Sequence, residues 1–436
     1  MVSQNDGKMG IWMTSALVVG TIIGGAIFML PVSLAPLGRN AVLSWVVSGA
    51  GAVCIAFALS QFSRFGGEGI QANIEREFGT TVAFLVAWAF WFSNWVAEAS
   101  VAITAGSTLS FIGGGNDIVV PVAIGSVVVL TAVNAIGVRA SGGLSILTVA
   151  IKILPLIAVI WLLAERSATG GHYEPMAPAP VNLANFATAT ALTFFALTGF
   201  ENATAPVGKV RNAERTIPRA LLGGTAFVVL LYLAAGTAIQ LLLPANVVAA
   251  SPAPFADVIM AHWGRVAASL AAVAIIVSAL GCLNCLILGT GELGYAMALR
   301  GDLPRVMERT RGLNTPVVAQ VVGSVLTILA ILANSNRSTA NLYTFIILLS
   351  TAGITILYLV GALAAWKLTA KPGPRIIVAL AVLFAIYALY GTGWEADAWC
   401  LVLLAAGLAV RAISRWRAGS SPQAAANSGE LPESSS

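Results

Sequence analysis

Residues 11–33 form an apolar run long enough to enter a bilayer, and eleven comparable runs follow, near 41–63, 80–112, 118–138, 144–164, 186–206, 220–243, 264–297, 316–334, 341–366, 375–393 and 396–414. A membrane-crossing helix needs about 20 mainly apolar residues. In hydrocarbon a helix pairs its backbone groups within the segment, so runs of this kind and length read as helices. With 58% hydrophobic and 9% charged residues over 436 positions, the composition excludes an ordinary water-soluble globular chain. The sequence predicts an all-α polytopic membrane protein of twelve transmembrane helices.

Positive residues are retained on the cytoplasmic side of membrane proteins. With the N-terminus inside, eighteen of the 23 Lys and Arg fall in cytoplasmic connections, including the cluster Lys209, Arg211, Arg215 and Arg219. Four, Arg39, Arg166, Arg265 and Arg337, fall on the opposite side, and Lys152 lies within a span. One span missed or added would move every later loop across the membrane and erase this asymmetry, so both termini are expected in the cytoplasm. The net charge of +5 follows from the same rule, and no basic patch interleaved with aromatics points to nucleic acid. Residues 1–10 are polar and lack the order of a signal peptide. Residues 415–436 are small, polar and Pro-punctuated, the composition of a disordered tail.

Two spans are interrupted. The segment Gly20-Thr-Ile-Ile-Gly-Gly-Ala-Ile-Phe28 places adjacent glycines, Gly24 and Gly25, where a helix should continue, and Ala191–Ala205 is broken at Thr198-Gly199. Glycines there invite the backbone to open, and in hydrocarbon an opened backbone is tolerated where protein or a polar cavity supplies its partners. Each broken segment is the first in a run of similar spans, the pattern of an inverted-repeat secondary transporter with its ligand at the membrane midplane. Taken singly, either is equally readable as a glycine contact between close-packed helices.

Ionisable residues at depth cost about 2.5–3.5 kcal/mol each on insertion scales and usually mark substrate sites or proton relays. Lys152, Glu98 and Glu201 qualify; Glu292 lies nearer the cytoplasmic end of its span. Asn94 and Glu98, spaced i, i+4, are expected on one helical face. The bland alternatives are snorkelling for Lys152 and a structural hydrogen bond for either glutamate. Cys282-Leu-Asn-Cys285 has no second pair to complete a metal site, and His172 and His262 fall in external connections. A membrane-embedded redox or enzyme subunit lacks its ligands or catalytic constellation here, and a channel lacks its selectivity ring.

The first-span glycine motif, Gly199-Phe-Glu-Asn with Arg211-Asn-Ala-Glu-Arg-Thr-Ile-Pro-Arg-Ala220, and Gly281-Cys-Leu-Asn284 with Tyr295-Ala-Met-Ala298 resemble the amino acid–polyamine–organocation (APC) permeases, nearest their bacterial basic amino acid/polyamine antiporter branch. The resemblance implies the leucine-transporter-like fold: a first repeat over 11–165, an inverted second repeat over 186–366, discontinuous helices 1 and 6, and two further helices over 375–414. It implies a substrate α-carboxylate on amides at Gly24, Gly25 and Ala26, and an α-ammonium on carbonyls of Ile22, Phe195 and Thr198. Asn94 and Leu286 join Glu98 in the expected substrate set; Glu98 is matched to a position carrying an amide in arginine/agmatine exchangers, and a carboxylate there would attract a cationic side chain or itself carry a proton. Leu286 stands where this branch places a gating tryptophan, leaving Phe195 or Phe200, with Glu201, as the gate. Lys152 resembles the fifth-span lysine of proton-coupled relatives, and a lysine in a low-dielectric interior releases and accepts protons readily.

The expected function is alternating-access transport of an amino acid, cationic ones included, proton-coupled, in a bacterial inner membrane. Amino acid/amine exchange is the alternative. The expected partners are substrate, protons and lipid; a homodimer is left open, and neither a cofactor nor a metal nor an enzymatic reaction is expected.

Overall fold

The structure is a computed structural model, and it describes residues 10–64, 70–113, 115–136, 142–201, 210–311 and 315–419. The N-terminal residues 1–9, part of the glycine-rich turn after the second span, Lys209 and the tail from 420 onward lie outside the described residues. The helices are α1 (Ile11–Ile22), α2 (Leu30–Leu34), α3 (Arg39–Ser60), α4 (Ile70–Ile112), α5 (Val119–Ala135), α6 (Gly142–Ala168), α7 (Leu183–Ala196), α8 (Ala213–Leu242), α9 (Ala245–Ala250), α10 (Pro254–Leu299), α11 (Val317–Ala333), α12 (Thr339–Leu368), α13 (Pro372–Thr392) and α14 (Trp394–Gly419).

Among the described residues, eight helical segments are long and apolar enough to cross a membrane, and α1, α7 and α11 are shorter apolar helices. The chain is a multi-pass helical membrane protein. At 1.5 Å per residue, α1 reaches only about 18 Å and α7 about 21 Å, against a hydrocarbon thickness of about 30 Å. Both stop at the interruptions that the sequence marks.

Two long helices, α4 and α10, form the middle of the bundle and carry matching kinks. Gly79 in α4 has φ 81°, ψ 172° and Gly264 in α10 has φ 81°, ψ 178°, so each helix divides into a short arm, 70–78 or 254–263, and a long arm that traverses the bundle. The two run antiparallel. The short arm of α4 meets the far end of α10, where Arg300 pairs with Glu75. Lys367, at the end of α12, lies 4.2 Å over the Phe78 ring of the same arm. At the opposite end, Ser107 of α4 donates to the Pro252 carbonyl just before α10 (2.8 Å). There too Phe255 meets Phe28 edge-on at 5.3 Å. Tryptophans on α4 tie it to its neighbours: Trp88 donates to the Leu403 carbonyl at 2.8 Å and Trp91 to that of Thr290 at 3.0 Å.

One buried ion pair closes the end of the bundle near the α4 kink. Asp302, 4% exposed, accepts from Arg411 Nε at 2.7 Å and from Arg415 Nη2 at 3.0 Å. Arg411 also donates to the Thr80 carbonyl at 3.2 Å and lies over Phe84. These bonds explain why α14 continues to Gly419, past residue 415 where the composition suggests a tail begins. Removing one partner of a buried pair costs about 3–5 kcal/mol because the other charge is left uncompensated, whereas an exposed pair contributes about 0–1 kcal/mol. Asp302→Ala should therefore lower the thermal midpoint of the detergent-solubilised protein by several degrees, while Glu395→Ala, which removes the exposed partner of Arg337, should leave it nearly unchanged. Thermal unfolding monitored by size-exclusion chromatography checks both.

Candidate functional site

The two interruptions meet. After Ile22 the chain leaves the helix at Ile23 (φ −72°, ψ 84°) and resumes as a 3₁₀ turn over Ala26–Phe28, then α2. After Ala196 it turns through Leu197 and Thr198 to Gly199, whose φ of +111° is strained for any side-chain-bearing residue. A Cβ on Gly199 would stand 2.6 Å from the Thr21 carbonyl oxygen, so glycine is what allows the second break to press against the first. Gly25 serves the same end on another side, since a Cβ there would lie 2.9 Å from Cα of Ala279 in α10.

Beside the meeting point lies a cavity of about 100 Å³, room for several waters at about 10–15 Å³ each. It is lined by Thr21, Ile22, Gly24, Ala26 and Ile27 of the first break and by Phe195, Ala196, Thr198, Gly199 and Glu201 of the second. Phe90, Ser93, Asn94, Ala97 and Val101 of α4, Tyr232 of α8, Cys282 and Leu286 of α10, and Ser350 and Ile354 of α12 complete the wall. Ser93 and Ser350 hold α4 against α12 by reciprocal bonds, each hydroxyl donating to the other's carbonyl at 2.9 Å.

The polar groups freed by the breaks are unevenly satisfied. The Ile22 carbonyl accepts from the Gly24 amide at 2.7 Å and the Tyr232 hydroxyl at 3.3 Å. The Phe195 carbonyl accepts from the Thr198 hydroxyl at 2.7 Å, and the Ala26 carbonyl accepts from the Tyr343 hydroxyl. Glu201, buried, accepts from the Gly199 amide at 3.0 Å and from the Tyr358 hydroxyl. Phe200 stacks on the Tyr358 ring at 5.2 Å and 15°. In contrast, the amides of Gly25, Ala26 and Ile27 find no acceptor among the described residues. A helix start of this kind presents unpaired donors and partial positive charge, the arrangement that binds a carboxylate.

Of the residues that the sequence singles out, Ile22, Gly24, Ala26, Asn94, Phe195, Thr198, Glu201 and Leu286 line the cavity. Gly25 is turned to Ala279 and Val101, Phe200 to Tyr358, and neither side of the α4 pair behaves alike. Four residues of helix turn 400°, so Glu98 is rotated about 40° from Asn94. That rotation carries Glu98 out of the cavity wall and in between α10 and α11, where Thr290 and Thr327 meet its oxygens. Lys152, 6% exposed, is also outside the cavity, across the α6–α10 contact near Cys285. Sequence reasoning missed Tyr232, Tyr343 and Tyr358. The available signal was a tyrosine deep in an apolar span, where a buried hydroxyl usually has a partner.

A profile of the amino acid permease family matches residues 9–408. The chain belongs to the amino acid permease family. The permease is 27% identical over 423 residues to the putrescine transporter PotE of Escherichia coli (strain K12), covering 91% of this chain and 93% of that one. It is 28% identical over 347 residues to the cadaverine/lysine antiporter of the same strain (75% and 76%), and 26% identical over 403 residues to the putative arginine/ornithine antiporter of Bacillus subtilis (strain 168) (84% and 85%). These relatives are transporters, and the permease is a transporter rather than an enzyme.

The two glycines of the first break separate site from packing. A Cβ on Gly24 meets only Cys282 Sγ, at 3.3 Å, and the Ile22 carbonyl at 3.9 Å, whereas one on Gly25 meets backbone. Gly24→Val places a β-branched side chain at the cavity and should weaken ligand binding at least tenfold with the permease still folded; Gly25→Val should lower thermal stability. Scintillation-proximity binding with radiolabelled amino acids and diamines, paired with a thermal shift, checks the split.

Proposed function

We propose that the permease carries an amino acid across a bacterial inner membrane by alternating access, with the substrate's α-carboxylate on the unpaired amides of the first break and its α-ammonium among the carbonyls of the second. The observation that carries this reading is the row of free donors at the first break: the amides of Gly25, Ala26 and Ile27 have no acceptor among the described residues. A zwitterion supplies what is lacking at its carboxylate end. Asn94 and Leu286 then face the substrate side chain, and Phe195 covers it.

The architecture proposed is twelve spans with both termini cytoplasmic, in two inverted repeats of five over 11–165 and 186–366, followed by helices over 375–414. Support comes from the paired breaks after α1 and α7 and from the paired kinks of α4 and α10, whose dihedrals agree within 6° and whose short arms lie at opposite ends of the bundle.

Proton coupling is assigned to Lys152. No carboxylate pairs with it among the described residues, and an ionisable group at depth usually serves an ion pathway. Amine exchange is the second reading, favoured by relatives named for putrescine, cadaverine and ornithine. The selection of cationic side chains by Glu98 is not carried forward, because its carboxylate is turned away from the cavity.

The test is uptake into proteoliposomes across a panel of the twenty amino acids with agmatine, putrescine and cadaverine, with and without an imposed inward proton gradient. Gradient-stimulated uptake of an amino acid is expected; transport of diamines alone favours the exchange reading, and no transport of any compound overturns the assignment. Lys152→Ala should retain binding and lose at least tenfold of gradient-driven accumulation.

A further inference from the structure

We infer that Glu98 is a proton-binding site, occupied in this conformation and separate from the substrate cavity. Its side chain is fully buried, 0% exposed, and its two oxygens meet two hydroxyls from different helices: Thr290 Oγ1 of α10 at 2.6 Å from Oε1, and Thr327 Oγ1 of α11 at 2.8 Å from Oε2. Thr327 Oγ1 also lies 2.9 Å from the Trp95 carbonyl and 3.1 Å from that of Gly323. A hydroxyl has one proton to donate and lone pairs to accept with. Three oxygens surround one hydroxyl proton, and the competition eases when Glu98 is the acid: Oε2–H donates to Thr327, Thr327 keeps its proton for a backbone carbonyl, and Thr290 donates to Oε1. As a carboxylate, Glu98 would compete with both carbonyls for that single proton.

Charge gives the same answer. An ionised carboxylate buried without a cation is strongly unfavourable, and among the described residues no cation pairs with Glu98. α5 and α11 contain no charged residue. On α10, Glu292 is exposed and Arg300 pairs with Glu75 at the helix end. On α12, Lys367 is bonded to the Glu77 carbonyl, while Tyr343 and Tyr358 are engaged at Ala26 and Glu201. Lys152 faces α10 from α6, beside Cys285.

A line of polar groups runs from this acid along one face of α11 at i, i−3 and i−7: Thr327, Ser324, which bonds Thr131 of α5 at 2.6 Å, and Gln320. The Gln320 amide is buried, 1% exposed, and neither its oxygen nor its nitrogen has a hydrogen-bond partner among the described residues. Gln320 sits in the first turn of α11, so these polar groups extend from Glu98 toward that helix end on a side away from the cavity.

Infrared difference spectroscopy of the full chain in liposomes, titrated through neutral pH, tests the assignment. Wild type should show the C=O stretch of a carboxylic acid at neutral pH. Glu98→Gln, whose amide matches the neutral acid in shape and in its donor and acceptor, should fold and lose that one carboxyl's absorbance, and Glu201→Gln should keep it. An unchanged acid band in Glu98→Gln overturns the proposal. Should that variant fail to fold, Thr327→Val decides: removal of the hydroxyl that accepts the acid proton shifts the band's frequency if the proposal holds, and an unshifted band overturns it. Neither outcome depends on whether an amino acid or an amine is carried.

Discussion

Hydrocarbon cannot hydrogen-bond to a peptide group, so a chain within it must satisfy its own backbone. Apart from the kinks at Gly79 and Gly264, the described helices obey this except at the two breaks after α1 and α7, and those two are set against each other. Three tyrosines from surrounding helices do most of the repair: Tyr232 on the Ile22 carbonyl, Tyr343 on that of Ala26, and Tyr358 on Glu201, which in turn accepts from the Gly199 amide. The repair is partial. The carbonyls of Ile22, Ala26 and Phe195 are covered, while the amides of Gly25, Ala26 and Ile27 have no acceptor among the described residues, each at a cost on the order of 1–3 kcal/mol while unpaired. What is missing is an anion's oxygens, and this is a stronger statement about ligand chemistry than the size of the cavity.

Around the breaks the structure is held by polar cross-links between long helices. Ser93 and Ser350 lock α4 to α12, Trp91 ties α4 to α10, and Glu98 ties α4 to both α10 and α11. By contrast, the close approach of the breaks to their neighbours is made by glycine: Gly199 on the Thr21 carbonyl, Gly25 on Ala279. Contacts through glycine carry shape without a directional bond. The bundle is thus cross-linked directly where α4 meets its partners, while the broken segments are held by the three tyrosine hydroxyls and by the glycine fit.

Much of this was legible in the sequence because the signals were local. Hydropathy marks the spans, and the glycines at 24, 25 and 199 mark the interruptions, since glycine is where a helix is free to open. The i, i+4 spacing of Asn94 and Glu98 also looked decisive, yet a residual rotation of about 40° was enough to put one on the cavity and the other behind it. Periodicity assigns a face only as precisely as the neighbouring helices divide that face, and α10 packs close enough to α4 to claim Glu98. The tyrosines were illegible for a related reason: the partner of a buried hydroxyl is chosen by tertiary packing, and Tyr343 and Ala26 are too far apart in sequence for any pattern to join them.

Three carboxylates are buried among the described residues, and each is accommodated differently. Asp302 is paired with two arginines at the edge of the bundle. Glu201 takes an amide and a phenol at the second break, where the opened backbone supplies donors that an intact helix lacks. Glu98 lies where the helices are intact, so it has only side-chain hydroxyls, one of which is already shared with two carbonyls. Each accepts from at least two groups, and what changes is their kind: guanidiniums at Asp302, an amide and a phenol at Glu201, aliphatic hydroxyls alone at Glu98. The same demand for internal satisfaction that leaves amides open at the first break leaves a proton on the glutamate that has no other means of being neutral.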